Sequence, residues 1–186
     1  MQSIAITFFP HATTLDNEAG ISTGAVEVNL SPLGKQQVLT LKAALHNQSF
    51  DAVFSSTLSR AKETAEGALG DRYKIIVDQR LQEINIGDLT KKNDTFTHPL
   101  AVQHIETPFP HGESWRDVEN RVRSFLNTIS STHAGKRIAI FGHQGTQLAL
   151  EVITKNISWE EALKNDWRNT KSFQYGWEYS FTIVSE

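Results

Sequence analysis

The chain has 186 residues, 39% apolar and 21% charged, with a formal charge of −3 and a pI near 6.2. These values suit one folded domain with a full core and exclude a disordered or strongly basic chain, leaving no general pull toward nucleic acid or anionic lipid. Cysteine is absent, which rules out disulfides, thiolate metal sites and a cysteine nucleophile. The N-terminal apolar run has no basic flank and is too short for a signal peptide or a membrane span, so a cytoplasmic protein is expected.

In chain order, Ile4 to Phe9 reads as a short apolar strand that carries Pro10-His11-Ala12 into a polar loop running through Asn29. Ser31 is placed to cap a helix and Pro32 suits its first position. A second strand is expected over 50–55, a helix over about 57–69 and a third strand over 73–77, before a less regular stretch over 81–88. Residues 89–112 are polar, hold three of the five prolines, and read as an irregular excursion covering the site. Trp115, Val118, Val122, Phe125 and Ile129 recur at helical spacing, predicting a helix from Ser114 to about Ser130. Arg137 to Gly142 is a strand that delivers His143, with a helix over about 146–154 behind it. Ser158-Trp159-Glu160-Glu161 reads as a capping box for a short helix. Phe173, Tyr175, Trp177, Tyr179, Phe181 and Ile183 then alternate, as in a strand with one covered aromatic face; a base-stacking platform is the competing reading.

Strands alternating with helices predict a three-layer α/β/α sandwich on a mainly parallel sheet, with the site at the C-terminal strand ends. Four islands in order refine this. They are His11 followed by Asn17; Ser55-Ser56-Thr57-Leu58-Ser59-Arg60 continuing to Thr64-Ala65; Glu83 in Leu81-Gln82-Glu83-Ile84; and His143. Together with Thr23-Gly24, Leu30-Ser31-Pro32-Leu33-Gly34 and Gly112-Glu113-Ser114, the pattern resembles the histidine phosphatase superfamily, the phosphoglycerate-mutase-like enzymes. The resemblance covers nearly all of residues 3–155 and treats 1–186 as a single domain.

The resemblance implies that His11 is a neutral nucleophile that becomes a phosphohistidine, its other ring nitrogen held as a donor by a backbone carbonyl. It gives Arg60 a two-pronged grip on phosphoryl oxygens, His143 a protonated ring facing the transferring group, and Glu83 the role of proton donor, kept protonated by partial burial. Asn17, Thr23 and the backbone N–H of Gln144 are expected as further oxygen contacts, with loop formation the alternative for Asn17 and Thr23. It requires no metal and no cofactor. The expected partner is a small soluble phosphomonoester, with no nucleic acid and no membrane. Pairing of two copies along the aromatic C-terminal strand, giving a homo-oligomer, stays open.

Pro10-His11-Ala12 departs from the arginine-histidine-glycine usual in this family. Proline removes a charge and an N–H. The lost charged hydrogen bond is worth roughly 1.5–3 kcal/mol, or about ten- to a hundredfold in binding. Arg80 and Arg116 are the sequence's candidates to replace it, and the methyl of Ala12 is expected to narrow the approach to the phosphate. Phe96, Phe109 and Trp115 are candidate apolar contacts, and Lys91 and Lys92 candidate contacts to a second anionic group, against ordinary packing and solvation. Three functions compete: a phosphatase, a phosphoglycerate mutase, and a non-enzymatic binder of a phosphorylated ligand or protein. The 29 residues 84–112 between Glu83 and Glu113 are short for a mutase, which favours hydrolysis.

Overall fold

The computed structural model describes residues 3–170 and 174–182. The first strand, β1 (Ser3–Pro10), leads into a loop broken by a short helix α1 (Leu15–Glu18) and a two-residue strand β2 (Ile21–Ser22). The loop reading missed both, because Thr14 and Asn17 cap each other reciprocally over one turn. Helix α2 (Pro32–Ala44) starts where Ser31 accepts the Gly34 N–H, as the Ser-Pro pair predicts. Next come β3 (Ala52–Ser55), α3 (Ser59–Leu69) and β4 (Ile75–Val77).

The excursion over 89–112 is more ordered than its composition suggests. It carries β5 (Lys92–Asn93), α4 (Asp94–Thr97) and a 3₁₀ segment over His98–His104. β5 pairs antiparallel with β2, which ties the excursion to the loop after His11. Helix α5 (Trp115–His133) begins in a full Ser114/Asp117 capping box. β6 (Arg137–Gly142) and α6 (Gln144–Lys155) follow, then α7 (Trp159–Lys164), a single turn α8 (Trp167–Thr170), and β7 (Trp177–Thr182).

The main sheet has the order β4-β3-β6-β1-β7. All neighbours run parallel except β7, which lies antiparallel on the β1 edge. Alternation along the strands divides the core. Ile6, Phe8, Ile138 and Ile140 face a cluster with α5, α6 and α7, whereas Phe9, Ala139 and Phe141 face a second cluster with α2 and α3. The molecule is therefore the expected three-layer sandwich. In β7, Tyr179 is buried and donates its hydroxyl to Glu151, while Trp177 and Phe181 are half-buried against the core. From Trp177 to Phe181 the aromatic alternation is sheet packing on an edge strand; Tyr175 precedes the strand, exposed at the cleft, and Phe173 and Ile183 lie outside the described residues.

Candidate active site

β1 and β6 are neighbours in parallel register, with Pro10 opposite Gly142, and the His11 N–H donates to the Gly142 carbonyl at 2.9 Å. Two histidines 132 residues apart in sequence thus leave adjacent strand ends, and their ring centroids are 5.1 Å apart. His11 opens into a cleft of about 900 Å³ whose lining includes Asn17, Thr23, Arg60, Glu83 and Gln144.

The imidazole of His11 is oriented by its own chain. Nδ1 meets the Ala12 carbonyl at 2.7 Å, and Nε2 receives the Arg60 Nε–H at 3.3 Å. This arrangement puts the proton on Nδ1 and leaves Nε2 unprotonated, its lone pair accepting from Arg60. Burial, and next the charge of Arg60, lower the His11 pKa from 6.5 to about 3, so the ring is neutral. The loop behind it is fixed by Thr64, whose hydroxyl accepts the Ala12 N–H and donates to the Arg60 carbonyl. Ala12 packs with Leu30 and Val38 and also lines the cleft.

Arg60 is only 2% exposed. Its Nη1 and Nη2 donate to the carbonyls of Val26 and Gly24, both at 2.8 Å. The expected free fork is thus partly engaged by backbone, leaving about two of its five N–H donors for a ligand. His143 is fully buried, and neither ring nitrogen has a hydrogen-bond partner. Burial, then His11 and Arg60, push its pKa well below 6.5. The protonated ring expected from sequence is therefore neutral here, because desolvation and like charge both oppose the cation.

Glu83 sits at the N-terminus of α6. Oε1 accepts the N–H groups of Ile84 (2.9 Å) and Gly145 (2.8 Å), and Oε2 that of Gln144 (3.1 Å). Glu83 is partly buried, as expected, and an amide cradle holds it in addition. The cradle needs a glycine, since a Cβ at Gly145 would stand 2.7 Å from Oε1. The Gln144 N–H is engaged by Glu83 and is not a free oxygen contact. Asn17 Oδ1 caps α1, and the Thr23 hydroxyl donates to Asp16 at 2.8 Å, so both serve the loop while lining the cleft.

Neither proposed substitute for the missing arginine reaches the cleft. Arg80 is paired with Asp78 and lies over Phe125; Arg116 is paired with Glu106 and Glu119. Lys91 pairs with Asp16 away from the cleft, whereas Phe109 and Trp115 do line it. Glu113 accepts the Asn85 N–H and pairs with Arg121, an orienting role. Sequence reasoning missed Arg168, which lines the cleft beside Trp167 on α8, and buried Asp166, which holds it. The pair is local, but the residues that join it to the site, Gln144 and Gln147 on α6, are remote in sequence. Among the described residues, no three His, Asp or Glu side chains are gathered to hold a metal ion.

Comparison with known proteins agrees with this geometry. The profile of the histidine phosphatase superfamily (branch 1) matches residues 6–182. A protein of Hydrogenobacter thermophilus named "Putative phosphoserine phosphatase 2" is 32% identical over 81% of this chain and 78% of its own length. A 2,3-bisphosphoglycerate-dependent phosphoglycerate mutase of Tropheryma whipplei is 30% identical over 75% and 78%. The alpha-ribazole phosphatase structure from Shigella flexneri superposes with a TM-score of 0.75 at 25% identity, covering 86% of this chain and 84% of that one. The two strand-end histidines, Arg60 and Glu83 thus stand in the fold of a known enzyme family, and the chain belongs to the histidine phosphatase superfamily, branch 1.

Proposed function

We propose that the protein hydrolyses a small soluble phosphomonoester through a phosphohistidine on His11. The observation that carries this reading is the tautomer of His11, with Nδ1–H toward Ala12 O and an unprotonated Nε2 whose 3.3 Å contact with the Arg60 Nε–H gives way to the phosphoryl group. In the first step Nε2 attacks phosphorus as the bond to the leaving oxygen breaks, and the Glu83 carboxyl gives that oxygen a proton. Oε2, with one N–H partner against two on Oε1, is the oxygen that carries the exchanged proton. In the second step water attacks the phosphohistidine and passes a proton back to Glu83. The P–N bond breaks, and inorganic phosphate leaves. Arg60 steadies the phosphoryl oxygens, and the incoming dianion supplies the counter-charge that His143 needs to take up a proton.

Phosphatase-named relatives and the short 84–112 segment support hydrolysis; the Tropheryma relative favours a mutase as the second reading. Among the described residues no helix is long and apolar enough to cross a membrane, and we place the protein, as one domain over 1–186, in the cytoplasm.

The test is hydrolysis of para-nitrophenyl phosphate between pH 5 and 8 without added metal, beside His11→Ala. Turnover in the wild type and none in the variant is expected. Undiminished turnover by His11→Ala would sink the mechanism, and phosphoglycerate interconversion without phosphate release would favour the mutase.

A further inference from the structure

A dianionic phosphoryl group calls for more positive charge than this site holds at its expected place. Pro10 lines the cleft with no charge and no N–H, and Arg60 has three of its N–H donors engaged. Among the described lysines and arginines, only Arg60, Lys164 and Arg168 line the cleft. Lys164 is exposed at the end of α7. Arg168 is different in kind. Its side chain is 24% exposed and is anchored by Asp166, itself 2% exposed in its side chain.

The anchor is built from several directions. Asp166 Oδ1 accepts the Arg168 Nη1–H at 2.9 Å and the Arg168 backbone N–H at 3.0 Å. Asp166 Oδ2 accepts from the Gln144 side chain at 2.5 Å, which ties the cluster to the residue after His143. Nη2 reaches Gln147 Oε1 at 3.3 Å, the same oxygen that accepts the Trp167 indole N–H at 2.9 Å. The guanidinium lies over the Trp167 ring, 4.5 Å from its centroid. A preorganised arginine loses less freedom on binding an anion than a free lysine does. Two N–H donors are engaged in this anchor, so three of its five remain for a ligand. Its charge also lowers the proton affinity of both His11 and His143, which places it in electrostatic reach of both rings.

We propose that Arg168 is the second phosphoryl-binding cation of this protein, supplied from α8 in place of the arginine that Pro10 has displaced. The proposal rests on the phosphatase reading, and the experiment separates the two. Wild type, Arg168→Ala and Arg168→Lys are compared in kcat/KM for para-nitrophenyl phosphate and in orthovanadate affinity. Arg168→Ala is then repeated with added guanidinium chloride against matched sodium chloride, and in combination with Pro10→Arg.

Arg168→Ala is expected to lose about ten- to a hundredfold in both quantities, as loss of a charged hydrogen bond predicts. Lysine should retain an intermediate value, and either guanidinium or Pro10→Arg should restore part of the loss. A loss under threefold overturns the proposal and leaves the phosphatase standing. A larger loss that neither added guanidinium nor Pro10→Arg relieves makes Arg168 structural and also overturns it. An inactive wild type overturns the phosphatase reading instead. Vanadate affinity then decides on Arg168: tenfold weaker binding by the alanine variant supports it, and unchanged binding refutes it.

Discussion

At the scale of single residues, the site is organised by where each polar atom sends its second bond. His11 gives Nδ1–H to the carbonyl of the next residue, which leaves Nε2 unprotonated to accept from Arg60. His143 is buried with both nitrogens unpartnered, a cost of about 1–3 kcal/mol in an ordinary core that a phosphoryl oxygen would relieve. Glu83 accepts three N–H bonds, so Glu83→Gln changes both the proton and the cradle. Its kcat is expected to fall about 100-fold on an alkyl phosphate. The loss should be smaller on para-nitrophenyl phosphate, whose leaving group departs as a stable anion. Equal losses on the two substrates would show that Glu83 positions α6 and transfers no proton.

At the scale of elements, the site depends on close approach between helix starts and loops. The first turn of α2 lies against the loop after His11, where a Cβ on Gly34 would fall 2.1 Å from the Thr13 carbonyl oxygen. Backbone cannot yield as a flexible side chain can, so Gly34→Ala is expected to destabilise the fold by about 1–3 kcal/mol. It should also lower kcat/KM by displacing His11; urea unfolding and steady-state kinetics measure the two effects. The same logic explains why capped helices were readable. Ser31 and Ser114 announce α2 and α5 through local hydrogen bonds that their neighbours in sequence complete. α1, α8 and the β2–β5 pair are too short for periodicity to reveal, and β2 and β5 come from segments 70 residues apart.

At the scale of the whole molecule, placing neutral histidines in the fold links stability to pH. An unfolded His11 titrates near 6.5, whereas the folded one is held near 3. Between those values the unfolded chain binds more protons, so stability rises with pH across the window and is lost as pH falls through it. His143, shifted in the same direction, adds to the effect. Urea unfolding between pH 7 and pH 4 is expected to show this loss, with a shallower slope for His11→Asn. An unchanged slope in that variant would mean that His11 is protonated in the folded protein.

By itself the sequence determined the layer architecture, the two strand-end histidines, Arg60, Glu83 and the membership of a family, because strand alternation, helix caps and motif order are local or strictly ordered properties. It also located the anomaly at Pro10. The tertiary structure decided which charges meet in the cleft. Arg80 and Arg116 are held by carboxylates elsewhere, while Arg168 is carried in by a one-turn helix and fixed by Asp166, Gln144 and Gln147. It decided as well that Arg60 is braced by backbone carbonyls and that His143 is neutral. Those outcomes depend on burial and on partners from distant segments, quantities that exist only once the chain has packed.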